Sequence, residues 1–218
     1  MSSPAQRRQK ILEDIAGAAR LAKRDPSEVR LIAVSKTRSV EEIEALIEAG
    51  QRDFGESRVQ EALSKWPALL AQHPDVRLHC IGRLQSNKGA EAVELFDTIH
   101  SVDRTSLLEA VYKEADKAAR KPSIYVQVNI GEEEQKGGCP VAQVGALADA
   151  VRASPLALAG LMAIPPLGVE PAPYFVLLAK IAQENAVTGL SMGMSGDFKQ
   201  AVMLGATAVR IGTALFED

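Results

Sequence analysis

The sequence predicts an α/β fold: a single (β/α)8 TIM barrel with one extra N-terminal helix. Three observations carry that prediction. Short β-branched runs alternate with longer helical patterns, the signature of βαβ units and a parallel sheet. Several runs are almost wholly apolar, as in Leu31-Ile32-Ala33-Val34 and Ile124-Tyr125-Val126-Gln127-Val128, and strands covered on both faces read that way. The strand–helix units fill a 218-residue chain with no composition break, linker or repeat, at the small end of the barrel range. Residues 1–218 are therefore read as one domain.

An amphipathic pattern over about Gln6–Lys23 supplies the helix ahead of the barrel. The predicted strands are Leu31–Ser35, Asp53–Gly55, Leu78–Gly82, Thr98–Val102, Ile124–Asn129, Ala157–Ala163, Gly189–Met192 and Ala208–Ile211. After the first strand, Ser39 and Glu42 form a capping-box pattern, Ile43, Leu46 and Ile47 keep helical spacing, and Gly50 stops the helix. Further helices are predicted near Arg58–Leu70, Lys88–Leu95, Arg104–Lys117, Val141–Ala150, Tyr174–Glu184 and Asp197–Leu204.

Composition narrows the function. Apolar residues make up 46% and charged residues 24%, ordinary for a globular chain, and the net charge is −3. No nucleic-acid or membrane partner is expected from that balance. The run Arg7-Arg8-Gln9-Lys10 reads as a solvated helix face. No apolar stretch follows the start and none approaches membrane-spanning length, so a cytoplasmic protein is expected. Cys80 and Cys139 have no metal spacing and read as small buried hydrophobes. No metal site is expected.

Barrel chemistry sits where strands end. Strand 1 runs into Ser35-Lys36-Thr37, which places a lysine directly at its exit. A dehydrated position there would favour the neutral amine that Schiff-base formation requires. Spacing alone leaves open a lysine whose head reaches solvent. After strand 7, Ser191-Met192-Gly193-Met194-Ser195-Gly196-Asp197 sets glycines and serines ahead of a helix, and strand 8 ends in Arg210-Ile211-Gly212-Thr213. Loops 7 and 8 often hold phosphate in such barrels. Tight turns and an N-cap remain the alternative. One of Met192 and Met194 is read as facing the barrel or a cofactor, with core filling as the alternative. His79 and His100 read as barrel-interior residues, with His100 kept in play by its place near a strand end.

These motifs, with Gly50-Gln51-Arg52-Asp53-Phe54-Gly55-Glu56-Ser57, Ile81-Gly82-Arg83-Leu84-Gln85-Ser86-Asn87-Lys88 and Gly160-Leu161-Met162-Ala163-Ile164-Pro165, cover nearly the whole chain. The chain resembles the pyridoxal phosphate homeostasis proteins, small members of the group with the alanine-racemase N-terminal barrel. The resemblance implies pyridoxal 5′-phosphate (PLP) carried on Lys36. Its phosphate would rest on Ser195, Gly196, Gly212 and Thr213, with Met192 and Ser57 near the cofactor. Arg210 would sit by the pyridine nitrogen, where a cation weakens the ring as an electron sink. Ser57 stands where asparagine is usual, Arg83 where an uncharged residue is common, and Gly137 where serine is usual. The segment from Pro165 to Ser191 looks short, so a trimmed sixth helix is expected.

The first functional reading is a monomeric PLP holder that sequesters the aldehyde and delivers it to apo-enzymes, without catalytic residues. An amino-acid racemase is the alternative. It needs acid/base groups on both faces. The opposing tyrosine of alanine racemases comes from a second domain, which this chain is not expected to have. Tyr112 and Tyr174 fall in helical segments and Tyr125 near the start of strand 5. A barrel for another phosphorylated metabolite is a third, weaker reading.

Overall fold

The structure is a computed structural model that describes residues 2–217. Its strands are β1 (Arg30–Val34), β2 (Asp53–Glu56), β3 (Arg77–Cys80), β4 (Thr98–Val102), β5 (Ser123–Gln127), β6 (Leu158–Met162), β7 (Leu190–Ser191) and β8 (Ala208–Ile211). All neighbouring strands pair in parallel, and β1 pairs with β8 to close the barrel. The register sets Ile32 beside Arg210 and Ala33 beside Phe54. The strand positions match the sequence expectation, but β7 is only two residues long and β3 stops at Cys80.

Helix α1 (Pro4–Leu21) precedes the barrel. The others each follow a strand: α2 (Val40–Glu48), α3 (Val59–Gln72), α4 (Gly89–Leu95), α5 (Thr105–Lys117), α6 (Val144–Ala153), α7 (Ala172–Glu184), α8 (Phe198–Met203) and α9 (Thr213–Phe216). The capping box at α2 is present: Ser39 Oγ accepts from Glu42 N and Glu42 accepts from Ser39 N. Gly50 then takes φ +89, the left-handed conformation that ends a helix at little cost in glycine.

Helix α7, in the segment read as short, runs for 13 residues and buries Phe175, Leu178, Ile181 and Ala182. One expectation is corrected in part: of the run read as a solvated helix face, Gln9 and Lys10 are exposed, but Arg7 and Arg8 are half-buried. Arg7 Nε donates to Leu215 O at 2.9 Å and Arg8 Nε to Gln51 Oε1 at 3.1 Å. The helix is tied to the barrel through α9 and the turn before β2.

The apolar core lies between strands and helices. Phe54 and Trp66 pack there with ring centroids 5.1 Å apart, both fully buried. Inside the barrel the filling is mixed, with Ile32 but also His79, His100, Ser191 and Arg210, all buried. Backbones approach closely between β6 and β7: a Cβ on Gly160 would lie 2.3 Å from Gly189 O.

Candidate functional site at the strand exits

Lys36 sits in the turn after β1 and is exposed. The solvent-reaching alternative therefore holds, and the dehydrated position does not. Alternation from Ile32, which lines the barrel interior, gives Val34 and Lys36 the same inward phase. The turn is braced from behind. Thr37, at φ +63, donates its backbone N–H to Glu61 Oε1 at 2.5 Å. Lys65 Nζ links Glu61 Oε1 (2.9 Å), the Ser35 carbonyl (3.0 Å) and Glu56 Oε1 (3.0 Å). Glu56 is fully buried and also accepts from Ser35 Oγ and Trp66 Nε1. Its Oε2 has no hydrogen-bond partner. Burial pushes the Glu61 carboxyl up, but Lys65 and the Thr37 N–H outweigh it and hold it below its ordinary value.

The loops after β7 and β8 lie beside this turn, because β8 pairs with both β7 and β1. Gly212 rests against the first strand: a Cβ built on it would lie 3.6 Å from Val34 Cβ. Asp197 shapes the β7 loop by accepting from Met194 N at 2.6 Å while its own N–H donates to Met194 O. Gly193 takes φ +94, and a Cβ there would meet Ala201 Cβ at 2.6 Å. The backbone N–H groups of Ser195, Gly196, Gly212 and Thr213 have no protein acceptor among the described residues. Together with the Ser195 and Thr213 hydroxyls they form a donor-rich set, with Asp197 turned to the Met194 N–H. That set fits a phosphate group. Met192 is fully buried in the same apolar cluster as Leu190, whereas Met194 is 39% exposed.

Arg210 enters the barrel from β8 and is 4% exposed. Its Nη1 donates to Ser191 Oγ at 2.6 Å and its Nη2 to Ala163 O at 3.0 Å. Among the described residues no carboxylate forms an ion pair with it, and Asp197 acts on it only through space. Burial pulls this guanidinium down to about 10, still a cation at neutral pH. From Ser191 a polar chain crosses the interior. His100 Nδ1 lies 2.9 Å from Ser191 Oγ, His100 Nε2 3.0 Å from His79 Nδ1, and His79 Nε2 3.0 Å from Asp53 Oδ1. His100 also stacks on Tyr125, centroids 4.3 Å apart. Burial, then the neighbouring His79 and Arg210, hold His100 well below its ordinary value, so it is neutral.

The structure thus brings Lys36, Ser195, Gly196, Gly212 and Thr213 to one side of the rim, with Met192 and Arg210 buried at β7 and β8. Ser57 follows β2, which pairs with β1 so that Gly55 lies beside Val34. It is half-buried after β2 and lines a cleft with Arg58, Arg83, Ser86, Lys88 and Arg104. Gly137 lies in the loop after β5, where its carbonyl accepts from Gln127 Nε2. Sequence reasoning missed Glu56 and Lys65 as the brace behind Lys36, and Ser191 as the partner of Arg210. One signal was available for the interior chain, since His79 and His100 lie on adjacent strands. Nothing in the spacing pairs Glu56 with Lys65.

Residues 9–218 match the family model for the alanine racemase N-terminal domain. The chain is 41% identical over 222 residues to a pyridoxal phosphate homeostasis protein of Pseudomonas aeruginosa, covering 99% of this chain and 96% of that protein. The homologous protein of Synechocystis is 41% identical over 203 residues, covering 88% and 93%. The structure of PipY from Synechococcus elongatus with PLP bound superposes with a TM-score of 0.79 at 41% identity, over 93% of this chain and 99% of that one. An exposed lysine at the exit of β1, free amide donors after β7 and β8, and likeness along nearly the full length point the same way: the chain belongs to the pyridoxal phosphate homeostasis protein family.

Proposed function

We propose that the protein binds PLP, anchored through Lys36, and acts in PLP homeostasis. The single observation that carries the reading is the pairing of an exposed lysine with the free N–H donors of the β7 and β8 loops. Such a pair suits a molecule with an aldehyde at one end and a dianion at the other. The bound group supplies an aldehyde that condenses reversibly with a primary amine. Lys36 offers that amine at an open rim, where solvent access permits loading and release. Ser195, Gly196, Gly212 and Thr213 hold the phosphate. Met192 packs beneath the ring, and Arg210 faces the ring nitrogen as a cation, which disfavours its protonation. Ser57, at the exit of the neighbouring strand β2, flanks the cofactor from the other side of Lys36.

A holder rather than a racemase is supported by where the tyrosines lie. Tyr125 is stacked on His100 at the N-terminal end of the barrel, and Tyr112 and Tyr174 are on helices α5 and α7. None of them stands at the rim to act as a second acid or base. Delivery to apo-enzymes and a monomeric state in the cytoplasm belong to the same reading.

The test is direct. Protein incubated with PLP gains a visible absorption band, and borohydride reduction fixes a mass increment on the peptide containing Lys36. The Lys36→Ala variant keeps its fold and loses both signals. An unchanged band in that variant, or an increment on another lysine, would sink the assignment.

A further inference from the structure

The polar chain through the barrel interior has a direction, and the direction follows from counting protons. Asp53 can only accept, so His79 Nε2 carries a hydrogen and its Nδ1 is a lone pair. His100 Nε2 must then donate to that lone pair, which leaves His100 Nδ1 as an acceptor. Ser191 gives its only proton to His100 Nδ1 and accepts from Arg210 Nη1. Every group is satisfied with both imidazoles neutral. The reverse register fails at both ends. It would set a bare His79 Nε2 against the Asp53 carboxylate. It would also strand the Ser191 proton beside a guanidinium that cannot accept it. A buried polar group left unpaired loses its hydrogen bonds to water without replacement, so the first register is selected.

We propose that Ser191, His100 and His79, anchored by Asp53, are positioning residues that lock Arg210 in place as a purely donating cation toward the cofactor ring. This rests on the reading that PLP is bound with its ring nitrogen at Arg210. Two Arg210 nitrogens are committed to Ser191 and Ala163, so the guanidinium cannot swing away without abandoning both. The chain supplies what an adjacent carboxylate would otherwise supply, orientation, without neutralising the charge. Asp53 holds the negative end two histidines away, where Arg30 also meets it at 3.3 Å. A cation kept in this way favours a ring that is stored unprotonated over one primed for carbanion chemistry.

The experiment uses the full-length protein loaded with PLP labelled with 15N in the ring. In wild type, the ring nitrogen resonates in the unprotonated range, and long-range 15N–1H spectra show His79 and His100 as Nε2–H tautomers. Ser191→Ala shifts the ring-nitrogen signal and weakens PLP binding on the order of tenfold, the equivalent of one lost buried partner. Ser191→Thr, which keeps the hydroxyl, restores both. Wild-type affinity and an unmoved ring signal in Ser191→Ala would overturn the proposal while leaving PLP binding intact. Failure of the wild type to take up PLP would instead overturn the binding reading. If Ser191→Ala does not fold, the tautomers of the wild type decide: an Nδ1–H or doubly protonated form at either histidine refutes the register.

Discussion

His100 and Glu61 make the molecule sensitive to acid in two separate windows. His100 is held well below 6.5 in the folded state, chiefly by burial. The unfolded chain therefore takes up a proton below about pH 6.5 that the folded chain refuses. The resulting loss of stability grows as pH falls, by at most about 1.4 kcal/mol per pH unit for one proton. Glu61 is held below 4.5, so its contribution is intact above that value and declines as pH drops further. Urea unfolding from pH 7.5 to 5.5 should show the first loss, and His100→Phe should flatten that slope. At the rim, Ser195→Ala and Thr213→Ala remove exposed hydroxyls from loops that bury nothing else there. Their apo melting temperatures should match wild type while PLP dissociation rises tenfold or more, about 1.5–3 kcal/mol for one hydrogen bond to a charged group. Equal melting losses in apo and PLP-loaded protein would contradict that.

Helix α3 is the element on which the Lys36 turn leans. It contributes Glu61 and Lys65 to the brace and Trp66 to both the core and Glu56. Replacing Trp66 with Phe keeps most of the ring but removes the N–H donor from a carboxylate that already has one unpartnered oxygen. A destabilisation of about 2–3 kcal/mol is expected, measured by chemical denaturation. Lys65→Met should also lower PLP retention, because the turn loses its cation bridge, whereas Lys180→Met, on an exposed pair with Glu184, should do neither. Between β6 and β7 the limit is steric. Gly160→Ala sets a Cβ 2.3 Å from Gly189 O and 2.5 Å from Tyr125 Cε1, so this variant should fail to give folded barrel by circular dichroism.

The whole molecule separates its two ends. The C-terminal rim carries the lysine and the free amides. The N-terminal mouth opens on a cavity of about 670 Å³ bordered by Arg24, Arg30, Arg77 and Tyr125. Closure of the barrel by β1 and β8 brings the first candidate residue, Lys36, next to the last, Thr213, across 177 positions of sequence. A ligand bridging those two segments binds the closed barrel and not the unfolded chain. At a hundred times its dissociation constant it adds about 2.7 kcal/mol, or roughly 5–10 °C in melting temperature for a domain of this size. Lys36→Ala should lose most of that gain in a thermal-shift titration.

The sequence by itself determined the barrel, its strand positions, the α2 cap, the exit lysine and the glycine-rich loops. Each is written locally, in alternation, turn chemistry or a helix signal. It left open whether Lys36 is dehydrated, and it read Arg7 and Arg8 as part of a solvated face where the fold half-buries them. Those outcomes depend on neighbours far away in the chain. So do the Glu56–Lys65 brace and the Asp53–His79–His100–Ser191–Arg210 chain, whose members come from β2, β3, β4, β7 and β8. Only closing the sheet puts those five side chains in one interior, and only there does the cost of an unpaired polar group select a single arrangement of protons.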